Sequence, residues 1–283
     1  MFHPNVLKSV TFVGMLLVAV LAFAQNVPET VWIPMQDQGF LGAREIKLEA
    51  TLYKPNGLGP FPVVLFSHGS SGGPIPASYT ETAKAFATYL TSKGIALLIP
   101  MRRGRGKSEG SNDEEPSACT VVAAKEGIRY ATASIDATLV YLRKQTWAET
   151  TNIVLAGHSR GGLLSLIYAG EHPSLAKGVV NFAGGWKNDN CGPTDINLVL
   201  FEEAALKAKT PALFVYARGD GFYSDTSIDR YASVFRANGG DVEFKFYALD
   251  KINGHAIFHR ALPVWEKDLD VFLARIGASQ RPN

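Results

Sequence analysis

Short apolar runs recur along the chain, each followed by a polar loop and then, in most cases, by a stretch whose apolar residues return at helical spacing. After a proline-containing lead from Val27 to Gly39, "REIKLEATLYKP" alternates roughly between apolar and polar positions and predicts an early strand. "FPVVLFSHGSSGG" predicts a short buried strand, Val63 to Phe66, that runs into a Gly/Ser loop. "YTETAKAFATYLTSKG" reads as a helix stopped by glycine, and "IALLIP" as a strand ended by Pro100. "MRRGRGKSEGSNDEEPSACT" is polar and glycine-rich, hence a loop, and "VVAAKEGIRYATASIDATLVYLRKQ" is a long helix with one internal glycine. The alternation continues through strand "NIVLAG", helix "RGGLLSLIYAGEHP", strand "KGVVNFAG", strand "PALFVYA", helix "IDRYASVFRANGG" and strand "VEFKFYAL". A C-terminal helix containing Pro263 closes the chain.

Short strands alternating with helices predict an α/β fold, with a mainly parallel sheet covered by helices on both faces. Ligands of such sheets bind beyond the carboxyl ends of the strands, so the loops after the strands are where chemistry is expected. The segment from Trp186 to Lys209 interrupts the alternation and is the candidate for a small cap, built from a loop and the helix-like "LVLFEEAALKAK". No repeat, low-complexity tract or linker divides the chain.

The first residues follow a different pattern. "MFHPNVLK" gives a short basic start, "SVTFVGMLLVAVLAFA" carries no charge, and Ala22-Phe23-Ala24 fits a peptidase site. This predicts a secretory signal peptide, residues 1–24, in preference to a membrane anchor, because the run is short for a span of about 20 residues. A secreted or periplasmic protein with one domain, 25–283, and no stable membrane anchor after cleavage is the resulting expectation. A composition of 46% hydrophobic and 19% charged residues supports a large core. The formal net charge of +2 singles out no partner. Export would permit a disulfide between Cys119 and Cys191, both in expected loops, although spacing leaves two unpaired thiols equally open.

"LAGHSRGG" carries the first chemical signal. Gly157-His158-Ser159-Arg160-Gly161 matches G-x-S-x-G between a strand and a helix, a turn that crowds its serine and needs small neighbours two residues to either side. The hydroxyl is then presented at a helix N-terminus, where free N–H groups favour developing negative charge. A serine at its ordinary pKa requires a base, and the base requires an orienting acid. Of the histidines, His3 lies in the expected signal peptide, His158 in the turn, His68 before the Gly/Ser loop, His172 at a helix end and His259 inside the last helix. His255, in "NGHAIF", lies on a loop beyond a strand and is the candidate base. Asp220, in "ARGDGF", is the candidate acid, with Asp225 as a competitor better explained by helix capping.

With these residues in place, "FSHGSSGG", "RRGRGKSEG", "GHSRGG", "ARGDGF" and "NGHAIF" together resemble the α/β-hydrolases, in particular the dienelactone-hydrolase-like esterase and peptidase branch. The likeness covers Ile46 to Ile276. It implies the α/β-hydrolase fold, the triad order Ser159, Asp220, His255, and an oxyanion hole formed by the backbone N–H groups of Ser70 and Arg160. It implies a structural role at the edge of the site for Arg103-Gly104-Arg105-Gly106-Lys107-Ser108. Dienelactone hydrolases proper use a cysteine where this chain has Ser159, which points toward ordinary ester chemistry. Peptidase relatives usually carry an additional propeller, for which this chain has no room.

The expected activity is therefore hydrolysis of a small-molecule carboxylic ester. An exopeptidase or amidase with the same triad, or a catalytically silent binding protein of this fold, are the alternatives. Trp186, Phe222 and Tyr223 are candidate pocket residues. Arg102, Arg103, Arg105 and Lys107 could meet an anion, but read more simply as a solvated loop with one arginine holding a neighbour and "NDEE" nearby to neutralise it. No metal site, cofactor motif or aromatic-interleaved nucleic-acid surface is indicated.

Overall fold

The computed structural model describes residues 27–39, 42–70, 75–115, 118–187 and 195–278. The segment expected to be a signal peptide, Ser71 beside the Gly/Ser loop, and Cys191 lie outside these residues. Strands β1 (Glu29–Gly39) and β2 (Gly42–Tyr53) are followed by β3 (Phe61–Ser67), helix α1 (Lys84–Ser92), β4 (Ala96–Pro100) and α2 (Val121–Leu142). Then come β5 (Ala148–His158), α3 (Arg160–Glu171), β6 (Gly178–Phe182), α4 (Asn197–Lys207), β7 (Ala212–Ala217), α5 (Asp225–Ala237) and β8 (Val242–Tyr247). A 3-10 turn (Gly254–Ala256), α6 (Ile257–Arg260) and α7 (Leu262–Arg275) complete the described chain.

The strands form one sheet in the order β1-β2-β4-β3-β5-β6-β7-β8. The β1–β2 and β2–β4 pairs are antiparallel, and every pair from β4 to β8 is parallel. The chain steps from β3 outward to β4, then crosses back to β5 and proceeds the other way. Right-handed crossovers therefore place α1 on one face and α2 to α5 on the other. Tyr89 of α1 donates to the Glu266 carbonyl of α7, and Phe86 meets Trp265 edge-on, so α1 and α7 share a layer. Phe201 of α4 stacks on Tyr231 of α5, and Tyr168 of α3 donates to Asp136 of α2. With both faces covered, β3, β4, β6 and β7 are buried at every position, in keeping with runs that are apolar apart from Ser67 and Asn181. The reversal between β3 and β5 opens a crevice at their carboxyl ends.

The result is the α/β-hydrolase fold, with three local departures from expectation. The proline-containing lead is a full strand, β1, in register with β2 along its length. It lies at the edge of the sheet, where Pro34 can do without a ladder donor. The C-terminal helix is divided at Ala261, so that Pro263 falls in the first turn of α7, where its missing N–H leaves no ladder bond broken. Within the segment read as a cap, Trp186 is buried, 188–194 lie outside the described residues, and α4 packs in the helical layer between α3 and α5 as the crossover from β6 to β7. Among the described residues no helix is long and apolar enough to cross a membrane.

Candidate active site

Strand β5 ends at His158 and α3 begins at Arg160, which leaves Ser159 alone to turn the chain. It does so at φ 54° and ψ −128°, a conformation costly for a residue with a side chain. The turn closes because its neighbours are glycines. A Cβ at Gly157 would overlap the backbone of Gly161, one at Gly161 would overlap the Ser67 carbonyl, and one at Gly162 would overlap Asn181. The turn is held by the Ser159 N–H bond to the Phe182 carbonyl, 2.9 Å, which ties it to β6.

Ser159 Oγ lies 2.9 Å from His255 Nε2, and His255 Nδ1 lies 2.9 Å from Asp220 Oδ2. These three side chains come from the ends of β5, β8 and β7 and meet in one relay at the crevice. The Asp220 side chain is only 1% exposed. Its second oxygen accepts the N–H groups of Phe222 and Tyr223, at 2.7 and 3.1 Å, so the carboxylate is fixed before it meets the imidazole. Asp225 is the first residue of α5 behind the N-cap Ser224. It accepts the Gly219 N–H and pairs with Arg218, and it does not reach His255.

Two supporting residues were not singled out from sequence. Asn253 Oδ1 accepts N–H bonds from both Gly221 and His255, at 3.0 and 2.9 Å, joining the loop of the acid to the loop of the base. Gly254 follows because a Cβ there would overlap the carbonyl of Ala217 at the end of β7. The "NGH" triplet held this information. His158 was assigned only to the turn, yet its Nε2 donates to the His255 carbonyl at 2.8 Å.

Ser70 and Arg160 face the same cavity as Ser159, together with Gly185, Lys187, Phe222 and Tyr223. Phe222 and Tyr223 are among the residues that line it. Trp186 does not line the cavity. It is 1% exposed, with its indole beneath the Arg160 guanidinium at 4.3 Å and against Gly127 of α2. Lys187, one residue on, lines the cavity instead, with its ammonium 4.9 Å from the centre of the Phe222 ring.

The arginine-rich loop is not solvated. Arg102, Arg103 and Arg105 are buried, Arg105 completely. Arg103 pairs with Asp37 at 2.6 Å, and Lys107 with Glu49 at 3.1 Å. Arg102, Arg105 and Arg160 converge on Glu114, at 2.7, 2.5 and 3.0 Å. Burial pushes the Glu114 carboxyl upward, but the three guanidinium groups outweigh it and hold the group well below the usual carboxylate range. His68 accepts the Arg102 N–H through Nε2. Burial, reinforced by Arg102, keeps His68 neutral, with its pKa well below the ordinary imidazole value. Cys119, at the far end of this loop, is disulfide-bonded. Among the described residues no group of three or more His, Cys, Asp or Glu side chains is placed to hold a metal ion.

Comparison with known proteins agrees with this architecture. The model of the Dienelactone hydrolase family matches residues 48–267. A candidate carboxymethylenebutenolidase of Methylorubrum extorquens is 24% identical over 217 residues, which is 77% of this chain and 68% of that protein. Est1E of Butyrivibrio proteoclasticus, solved with ferulic acid bound, superposes with a TM-score of 0.61 at 18% identity, covering 88% of this chain and all of that one. An acylaminoacyl peptidase of Pyrococcus horikoshii superposes with a TM-score of 0.65 at 17% identity, over 92% of this chain and 43% of that one. The chain belongs to the dienelactone hydrolase family and is a hydrolase.

Proposed function

We propose that this member of the dienelactone hydrolase family is a secreted serine esterase that cleaves small-molecule carboxylic esters through an acyl-enzyme. The observation that carries the reading is the continuous relay from Ser159 Oγ through His255 to Asp220, with 2.9 Å at each link. Ser159 attacks the ester carbonyl while His255 Nε2 takes its proton, and Asp220 holds the imidazole in the tautomer with Nδ1–H. The oxyanion lies against the backbone N–H groups of Ser70 and Arg160. Collapse expels the alcohol, which leaves with the proton from His255. Water, deprotonated by the same imidazole, then releases the acid and restores Ser159.

A serine at position 159, where dienelactone hydrolases proper have cysteine, favours ordinary esters over dienelactones. Phe222 and Tyr223 place two aromatic rings beside the cavity, where the non-reacting part of such a substrate would lie. Residues 1–24 would direct the chain to the periplasm or beyond.

The test compares wild type with Ser159→Ala on p-nitrophenyl esters of increasing acyl length, together with labelling by a fluorophosphonate. Turnover and labelling in wild type alone support the reading. Labelling without turnover of any ester redirects it to amides. Neither labelling nor turnover in wild type abandons it for a silent binding protein.

A further inference from the structure

We infer that Glu114 is a positioning residue that holds both halves of the oxyanion hole; the inference rests on the esterase reading above. The two proposed oxyanion donors are backbone N–H groups on segments far apart in sequence, Ser70 after β3 and Arg160 at the start of α3. Their side chains meet on one carboxylate oxygen. Ser70 Oγ donates to Glu114 Oε1 at 2.8 Å, and Arg160 Nη1 donates to the same oxygen at 3.0 Å. Arg102 binds both carboxylate oxygens, Nε to Oε2 at 2.7 Å and Nη2 to Oε1 at 3.1 Å. Arg105 adds a further contact at 2.5 Å.

The rest of the cluster ties the strand-end loop to the same centre. Arg102 Nη1 donates to the His68 carbonyl at 2.6 Å, and Nη2 to Ser70 Oγ at 2.5 Å. Arg160 is locked from its other side by Glu115, the Lys187 carbonyl and the Trp186 ring. Glu114 is 1% exposed, so no water competes for these bonds. A carboxylate that deep in a protein, with guanidinium groups on it from Arg102 and Arg105 of the loop and from Arg160 of α3, is more than a surface solution to a basic loop. Catalysis by preformed donors is sensitive to small displacements of those donors, and here one side chain sets the separation of both.

Charge and position make opposite predictions, which allows a decision. Three guanidinium groups (Arg102, Arg105, Arg160) surround two carboxylates (Glu114, Glu115), so Glu114→Gln would add positive field beside the oxyanion. If field dominated, kcat would rise. If position dominates, kcat falls.

The experiment uses the full-length protein and two variants, Glu114→Gln and Ser70→Ala. The second removes only a hydroxyl and decides the matter if the first does not fold. Active sites are counted by fluorophosphonate titration, and kcat and KM on p-nitrophenyl acetate are expressed per titrated serine. Affinity for a trifluoromethyl ketone, which forms a tetrahedral adduct, is measured alongside. We expect kcat per site to fall ~100-fold in Glu114→Gln, the low end of the ~10²–10³-fold cost of losing one oxyanion donor, and less, ~10-fold, in Ser70→Ala, where a donor is loosened and not lost. KM should stay within about twofold, and ketone affinity should fall in parallel with kcat. Unchanged or increased kcat per titrated site, with loss confined to the number of active sites, overturns the inference and leaves Glu114 a structural residue. A wild type that neither turns over nor titrates removes the esterase reading and this inference with it.

Discussion

The imidazole of His158 donates through Nε2 to the backbone carbonyl of His255, 2.8 Å away, so the residue before the nucleophile holds the loop that carries the base. That bond fixes His158 as the Nε2–H tautomer. The ring is buried, stacks on Phe258 and lies beside His259. Burial, followed by the nearby His255 and His259, lowers its pKa to about 3.

A histidine that stays neutral when folded makes stability depend on pH. Its pKa is about 3 folded and ~6.5 unfolded, so only the unfolded chain takes the proton in between. The contribution is complete above ~6.5 and is lost as pH falls toward 3. For His158 alone the loss between pH 7 and pH 5 is about 2 kcal/mol. His68, lowered in the same direction, adds to the trend. Urea unfolding at the two pH values should show that loss in wild type and a visibly smaller one in His158→Gln, whose amide can still donate to the His255 carbonyl. Equal losses in the two proteins would remove His158 as the source.

Asp220 and Asp225 were the two acids open from sequence, and they bond differently. Asp220 reaches His255 Nδ1, whereas Asp225 accepts the Gly219 N–H and pairs with Arg218. Asp220→Asn should leave the fold intact and lower kcat by ~10⁴, because an amide supports the wrong imidazole tautomer. Asp225→Asn should keep kcat within a few-fold and cost stability by about 1 kcal/mol or less. Ester kinetics and a thermal melt on both proteins check this, and the reverse ranking would transfer the acid's role to Asp225.

What the sequence made legible follows from the range of each signal. The strands and the Ser159 turn are local: apolar runs, glycines at fixed offsets, a helix after. Ser159, Asp220 and His255 could be placed because each follows a strand, and parallel strands deliver their ends to one side. β1 was not read because Pro34 and the polar Gln36, Asp37 and Gln38 obscure its alternation. The burial of Arg102 and Arg105 was invisible because an arginine-rich loop and an acidic "NDEE" look solvated until the chain brings them together with Arg160. Trp186 looked like pocket wall for the opposite reason: a loop aromatic beside the site gives no hint of the guanidinium above it.

The disulfide can be tested without any activity. Cys119 is bonded and the sequence holds one other cysteine, Cys191. A non-reduced proteolytic map should contain a linked peptide bearing both residues, absent after reduction. Closing a loop of this length stabilises by about 4 kcal/mol in the chain-entropy model, so reduction should lower the melting temperature clearly. Two separate unlinked peptides from protein made in an oxidising compartment would defeat the expectation.

Gly161 gives the sharpest backbone test. It is in the first turn of α3, and a Cβ there would meet the carbonyls of both Ser67 and His68 at the end of β3. Neither can give way cheaply, because Ser67 is paired in the sheet with Gly157 and the His68 carbonyl is bonded to Arg102. Gly161→Ala should therefore move α3 away from β3 and carry Ser159 off His255. The expected result is loss of fluorophosphonate labelling along with a destabilisation of several kcal/mol, above the ~1 kcal/mol gain a helical Gly→Ala change would otherwise bring. Gly219→Ala is the useful contrast, since it has positive φ but open space around it, so strain acts there without a clash. If Gly161→Ala melts and labels like wild type, the close approach of α3 to β3 is not what shapes the nucleophile's turn.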